Sequence, residues 1–393
     1  MNIVTDNKKI EELLTRGVEE VINVDVLRKM LQSGKKLRVK LGIDPTSPNI
    51  HLGRSIPLLK LRDFQELGHQ IVFIIGDFTG VIGDTSDKDS ERPMLEAEKV
   101  KTNMKNYASQ AGKIIDMDKC EVCYNSTWLS KLTYAEIGFQ ADNFSLSEFI
   151  SRENIRRRLD AGTRVSLREL LYPLMQGYDS VAVKSDVELG GTDQRFNLLA
   201  GRALQEAYKQ VPQNIIMGPL LEGTDGRKMS SSWGNTVNLT DEPNEIFGKI
   251  MTIPDQLIIK YFTLTTRVPL EKIKGFEKDM KQGANPRDIK MELGKELVSF
   301  YYSPELAEKA QEYFISTFKN KEIPTDIPEL KPSSYDILTV LVESKLVTTK
   351  SEARRAVEQG GVKIGDQKVE SIEESVKKGS VVQKGKRFFV KVI

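Results

Sequence analysis

Apolar side chains alternate from Arg38 to Ile43, at Val39, Leu41 and Ile43. The spacing then becomes helical from about Ser55 to Leu67 and stops at Gly68. From Gln70 to Gly76 the apolar run is continuous, the pattern of a parallel strand covered on both faces. Asp193 to Lys209 predicts a helix and Gln213 to Met217 another strand. Residues about 1–32 predict a helix with Leu13, Leu14, Val18, Val21 and Ile22 on its apolar side. Residues about 100–190 predict a mostly helical insertion holding one short strand, Glu121 to Asn125. The order is βαβ, an interruption, then βαβ again. It predicts an α/β fold: a Rossmann-like, doubly wound parallel sheet with a helical insertion, over residues 1–240. Residues 241–320 predict helices only, as an α-helical domain. Pro324, Pro328 and Pro332 mark 321–334 as a linker. The remainder, 335–393, predicts a small α+β domain. Its helices run from Asp336 to Ser344 and from Ser351 to Glu358, the second capped by Thr348 or Thr349. Strands Val362 to Ile364 and Arg387 to Val392 follow, with a turn at Gly365-Asp366.

Composition narrows the class. At 393 residues and 39% hydrophobic content the chain suits two or three soluble domains. No run reaches the ~18 apolar residues of a membrane span. Asp6, Glu11 and Glu12 sit where a secretion signal would be apolar. Cys120 and Cys123 are the only cysteines, too few for a disulfide scaffold, so a reducing cytoplasm is expected. With His51 and His69 the only histidines, Cys120-Glu-Val-Cys123 lacks partners for a zinc site and reads as two ordinary thiols. No protein-bound metal is expected. His69 reads as a solvent-facing residue at a helix end. The net charge of +2 hides a contrast: Lys331 to Ile393 holds 13 Lys and Arg against 8 Asp and Glu. A basic tail on a near-neutral body suits a polyanionic partner, although a solvated lysine surface has the same composition.

Two short segments carry candidate phosphate chemistry. His51-Leu52-Gly53-Arg54 stands where the first strand meets the first helix of the sheet domain, where backbone amides and the helix dipole favour an anion. Lys228-Met229-Ser230-Ser231-Ser232 lies in a Gly/Ser-rich loop, Gly223 to Gly234, able to close over a triphosphate. The Gly-rich loop Asp77 to Asp84 comes at the C-terminal end of a strand, where doubly wound sheets bind ligands. Tyr172, Gln176 and Asp179 are spaced by four and three, which puts phenol, amide and carboxylate on one helix face.

Asp44-Pro45-Thr46 with His51-Leu52-Gly53, followed by the Lys228 segment, resembles the paired HIGH and KMSKS motifs of class I aminoacyl-tRNA synthetases. Tyr172 to Asp179 and Gly190-Gly191-Thr192-Asp193-Gln194 resemble the amino-acid site of the bacterial tyrosyl-tRNA synthetases. The resemblance runs through nearly the whole chain. It implies ATP, with Mg2+, as substrate, activation of tyrosine as tyrosyl-adenylate, and transfer to tRNA(Tyr). It implies catalytic roles for Thr46, His51, Lys228 and Ser231. ATP would meet Asp44, Gly53, Arg54, Gly191, Asp193 and the loop residues Lys228 to Ser232, with Met229 and Ser230 among them. Tyrosine would meet Gly42, Asp84, Tyr172, Gln176, Asp179 and Gln194: Asp84, Tyr172 and Gln176 at the ammonium, Asp179 at the phenol. Residues 241–320 would be an anticodon-stem domain. Ser351 to Gly365 resembles the RNA-binding module of a small-subunit ribosomal protein, with Arg354, Arg355 and Lys363 meeting phosphates. A homodimer is implied by the resemblance alone.

Three positions depart from the family pattern. Arg54 stands where the first motif has its second histidine, and Ser231 where the second motif has its second lysine, with Arg227 as a partial substitute. Lys40 stands where many tyrosyl enzymes place a second phenol-reading tyrosine. A tryptophanyl enzyme and a catalytically silent RNA-binding relative are the competing readings. The Tyr172–Gln176–Asp179 face argues against both.

Overall fold

The computed structural model describes residues 3–86, 94–319, 327–365, 367–385 and 388–393. Within it the chain divides into two compact units, Met1–Ala307 and Glu308–Ile393. The first is built on a six-stranded sheet. Its strands are β1 (Glu20–Ile22), β2 (Arg38–Ile43), β3 (Gln70–Ile75), β4 (Cys120–Tyr124), β5 (Val187–Gly191) and β6 (Asn214–Gly218), in the order β1-β6-β5-β2-β3-β4. All neighbours are parallel except β1, which runs antiparallel to β6 with Val21 opposite Ile216. Ile71 to Ile75 of β3 are buried, as the continuous apolar run requires.

The expected N-terminal helix is broken. It forms over Asn7–Thr15, gives way to β1, and resumes over Val24–Gln32. Gly17 causes the break: its φ of +60° is left-handed, and Leu264 lies 2.9 Å from where a Cβ would stand. The β-branched residues that follow then pair with β6. Inside the expected insertion, the short strand joins the main sheet as β4. A strand that the spacing did not reveal, β5, takes a central place between β2 and β6.

Two helices pack tightly over β5. Leu167–Val183 starts at a Ser166–Glu169 capping box and ends at Lys184, whose φ is +50°. Gly177 on it faces Gly201 of helix Arg195–Ala207. A Cβ at 177 would stand 3.1 Å from the backbone of Ala200 and Gly201. This close approach sets the height of Gln176 and Asp179 above the sheet.

Helices Pro243–Ile250, Ile258–Thr265, Leu270–Lys281 and Pro286–Tyr301 belong to the same compact unit. Arg267 reaches back to both carboxylate oxygens of Asp63, at 2.7 and 2.9 Å. The boundary expected at about 240 is therefore not a division between compact units.

The second unit holds β7 (Glu329–Leu330), β8 (Val362–Ile364), β9 (Gln367–Lys368), β10 (Val381–Lys384) and β11 (Phe388–Val392), in the order β7-β11-β10-β8-β9. Helices Ile337–Glu343 and Lys350–Glu358 are capped by Asp336 and Thr349. Ile337, Leu341, Val357, Val382 and Val390 share one core. The expected linker 321–334 overlaps this unit, because Glu329 and Leu330 pair with Lys391 and Val392. Residues 321–326 of that linker, Asp366 of the expected turn and Arg387 of the expected strand lie outside the described residues.

Candidate active site

One cavity of about 530 Å³ opens at the C-terminal ends of β2, β3, β5 and β6. Every residue assigned above to ATP or tyrosine lines it. Arg354, Arg355 and Lys363 lie in the second unit.

At one end, β2 delivers Gly42 and Asp44, and helix Leu167–Val183 delivers Tyr172, Gln176 and Asp179. Asp44 accepts hydrogen bonds from the Tyr172 hydroxyl at 2.8 Å and from Thr79 Oγ1 at 2.7 Å. Removal from bulk water pushes the Asp44 carboxyl up to about 6, against the pull of those two donors. The same desolvation, beside the carboxylate, holds the Tyr172 phenol well above its usual range. Asp179 is buried and accepts from Trp128 Nε1 at 2.8 Å and Asn125 Nδ2 at 3.2 Å. Burial pushes its carboxyl up to about 7, although the Lys40 charge and both donors act the other way. Asn125 also donates to Thr79 Oγ1 at 2.8 Å, so it links the Asp44 and Asp179 clusters. Asn125 and Trp128 escaped the sequence reading. The available signal was a polar residue at the C-terminal end of β4, beside one of only two tryptophans.

At the other end, His51 caps helix Leu52–Glu66 by position, without a side-chain capping bond. Its imidazole is buried beside Gly53, where a Cβ would stand 3.1 Å from the ring. Burial, with Arg54 and Lys228 nearby, pushes the His51 pKa down to about 3, so the ring is a neutral donor and not a cation. Its Nδ1 is buried without a protein partner. Arg54 donates to Thr46 Oγ1 at 2.8 Å and to the Tyr107 hydroxyl at 2.9 Å. Thr46 accepts through its oxygen, which leaves its own proton for a ligand.

The loop after β6 closes this end. Gly53 N–H points at Met229 Sδ, 3.4 Å away, and Lys228 Nζ lies 3.0 Å from Asp193 Oδ2. Ser230 N–H donates to Asn235 Oδ1 at 2.9 Å. Ser231 to Trp233 form a single 3-10 turn with Ser231 and Ser232 exposed. Arg227 does not line the cavity. It donates to Asp225 at 2.8 Å and stacks 4.8 Å from the Trp233 ring centroid. Gln194 accepts from Gly191 N–H at 3.4 Å.

One further expectation is corrected. His69 is buried, not solvent-facing; its Nδ1 accepts from Leu37 N–H at 3.3 Å, and burial pushes its pKa down to about 4. Lys40 is wholly buried in an ion pair with Glu188 at 2.9 Å. Cys120 and Cys123 are half-buried free thiols, each pushed up to about 11 by burial. Among the described residues no cluster of His, Cys, Asp and Glu could hold a metal ion.

Residues 32–319 match the family of class I tRNA synthetases for tryptophan and tyrosine, and residues 337–382 match the S4 domain. A tyrosine–tRNA ligase from Dehalococcoides mccartyi is 46% identical over 98% of both chains. One from Thermotoga maritima is 45% identical over 97% of this chain and 96% of its own. The chain belongs to the class I tyrosyl-tRNA synthetases. In that family the fold extends to distant members. The tyrosyl-tRNA synthetase of Archaeoglobus fulgidus, solved with L-tyrosine, superposes with a TM-score of 0.62 at 24% identity, covering 77% of this chain and 99% of its own. A C-terminally truncated mitochondrial enzyme from Aspergillus nidulans gives 0.67 at 21% identity, covering 79% and 94%.

Proposed function

We propose that the protein is a tyrosine–tRNA ligase that first joins tyrosine to ATP and then transfers it to tRNA(Tyr). The observation that carries this reading is the shared cavity. The Tyr172–Gln176–Asp179 face stands at one end and the His51 and Lys228 motifs at the other.

Tyrosine lies with its phenol at Asp179 and its ammonium among Asp84, Tyr172 and Gln176. ATP, entering as its magnesium complex, lies along Gly53, Gly191 and Asp193. The tyrosine carboxylate attacks the α-phosphorus. A new P–O bond forms, the α–β bond breaks, and the electron pair leaves with pyrophosphate. Nothing in this step asks for a covalent enzyme intermediate. It asks for alignment and for donors where negative charge grows. Thr46 and neutral His51 supply hydrogen bonds, Ser231 a hydroxyl, and Arg54 and Lys228 positive charge. Lys228 exchanges Asp193 for phosphate when ATP arrives. In the second step a ribose hydroxyl at the tRNA 3′ end attacks the activated carbonyl and AMP leaves. Arg354, Arg355 and Lys363 in the tail meet tRNA phosphates, and residues 241–320 meet the anticodon stem.

The enzyme works as a homodimer in the cytoplasm. In support, exposed large apolar side chains gather between residues 122 and 171, at Tyr134, Phe139, Leu146, Leu159 and Leu167. No helix of the described residues is long and apolar enough to cross a membrane.

The test is ATP–pyrophosphate exchange with each of the twenty amino acids. Exchange driven by tyrosine alone supports the reading. Exchange with tryptophan instead, or with none, sinks it.

A further inference from the structure

Behind the cavity, and not lining it, lies the buried pair Lys40–Glu188. The two residues are direct register partners on β2 and β5, and their side chains are 0% and 1% exposed. An unpaired charge here would be costly, so its partners reveal what it holds. The Lys40 ammonium has three protons and three acceptors: Glu188 Oε1 at 2.9 Å, Ser180 Oγ at 2.8 Å and the backbone carbonyl of Gln176 at 3.0 Å. Glu188 in turn accepts from Ser180 Oγ at 3.0 Å, from Gln213 Nε2, and from Gln176 Nε2 at 3.2 Å.

The last contact matters for the cavity. A carboxylate only accepts, so it can face only the NH2 side of the Gln176 amide. The opposite side of that amide, Oε1, accepts one bond from Asn197 Nδ2 at 3.0 Å. Asn197 also donates to Ser86 Oγ at 3.2 Å, and Ser86 N–H donates to Asp84 Oδ1 at 2.9 Å. One hydrogen-bonded chain thus runs from Lys40 through Glu188, Gln176 and Asn197 to Asp84. Gln176 Oε1 keeps one lone pair for the cavity.

We propose that Glu188, neutralised by Lys40, is a positioning residue for the substrate amine: it takes the NH2 of Gln176, so that this amide presents its oxygen, and not its nitrogen, to the ligand's ammonium group. Without that restraint only the Asn197 bond holds the amide, which can then turn and present N–H donors to a cation. The proposal rests on reading the cavity as a tyrosine site. It adds a pair that touches no substrate and yet sets the sign of one recognition element.

The test is direct binding by calorimetry with three probes: tyrosine, tyramine, and 3-(4-hydroxyphenyl)propanoate, which lacks the amine. Glu188→Gln is isosteric. Its single amide oxygen, held at the Oε1 position by Lys40, still accepts from Gln176 Nε2, and its NH2 takes the Oε2 position beside Ser180 and Gln213, so this variant keeps the amide's orientation and is the control. The charge-neutral double variant K40M/E188M removes the restraint without a buried lone charge. In it tyrosine and tyramine are expected to bind roughly tenfold or more weakly, the scale of a charge-assisted hydrogen bond, while the propanoate changes less than about twofold. Equal weakening of all three probes by K40M/E188M, or no weakening, overturns the proposal. K40M/E188L must show the same amine-selective loss, and it decides the matter if K40M/E188M does not fold. A parent protein that binds the propanoate and tyramine but not tyrosine overturns the cavity reading itself, an outcome visible before any variant is made.

Discussion

Asp179 binds tyrosine best when ionised, yet burial holds its carboxyl up to about 7 in the free protein. A phenol donates to a carboxylate far better than to a neutral acid. Tyrosine affinity is therefore expected to rise by roughly tenfold between pH 6 and pH 8, the span over which a group of that pKa ionises. Phenylalanine leaves the carboxylate unpaired and prefers it protonated, so its affinity should move the other way. Asp179→Asn should abolish both slopes and weaken tyrosine more than phenylalanine. Fluorescence titration checks this, with Trp128, hydrogen-bonded directly to Asp179, as reporter; parallel slopes for the two amino acids would remove Asp179 from phenol recognition. Folding carries the opposite sign to tyrosine affinity. Asp44 and Asp179 are raised from 3.8 to about 6 and 7, so the folded state retains protons that the unfolded chain releases above pH 4. Their contribution to stability falls as pH rises through that window. Spacing alone put Tyr172, Gln176 and Asp179 on one face, because helix period is a local property. Asn125, Trp128 and Glu188 were not legible, because they reach the site only through strand order, and nothing local encodes which strands become neighbours.

At the scale of elements, the two helices over β5 owe their closeness to Gly177 and Gly201. Alanine in a helix interior normally gains about 1 kcal/mol over glycine. At position 177 the added methyl would lie 3.0 Å from Leu204 Cδ1 and 3.1 Å from backbone atoms that cannot swing away. Overpacking of that kind costs about 1–3 kcal/mol, so the clash wins. Gly177→Ala is expected to lower Tm by about 2–4 °C per kcal/mol lost and to weaken tyrosine binding, since Gln176 and Asp179 flank it. An unchanged or higher Tm would show that the helices can separate freely. The loop holding Lys228 makes the opposite demand, since it must exchange the Asp193 contact for phosphate. Lys228→Ala should slow pyrophosphate exchange by ~10²-fold or more while leaving tyrosine affinity nearly unchanged, because the lost charge acts on the departing pyrophosphate. Equal exchange in variant and parent would take the loop out of the reaction. The N-terminal break shows where element prediction runs out. Helical spacing continued through Gly17, but the residue's left-handed backbone and the antiparallel neighbour β6 decide for a strand.

Across the whole molecule, the basic excess and the small-molecule site fall in different units. All residues assigned to tyrosine and ATP precede Gly234, whereas 13 Lys and Arg against 8 Asp and Glu lie from Lys331 onward. The cut that separates them must respect β7. Ending the chain near Lys331 would leave Glu329 and Leu330 as half of a strand pair whose partner, β11, is gone. Ending it after Lys319 keeps helix Pro304–Lys319 and removes the whole five-stranded sheet. The truncated body is expected to fold, since its core, from Ile10 to Ala307, lies within the first compact unit. It should make tyrosyl-adenylate at the parental rate, because the cavity loses no lining residue. Charging of tRNA should fall, mainly through weaker binding, because the net basic charge leaves with the tail. The slope of log affinity against log salt should shrink as well, since fewer phosphates are neutralised and fewer counterions released. Both reactions are to be measured on one preparation, exchange and charging side by side across a salt series. Charging that stays at the parental level would exclude the tail from tRNA binding in this reaction. Exchange that collapses together with charging would place part of the catalytic body beyond Lys319. Only loss of charging with exchange retained, and with a shallower salt slope, fits a tail that holds RNA by its phosphates while the chemistry stays in the first unit.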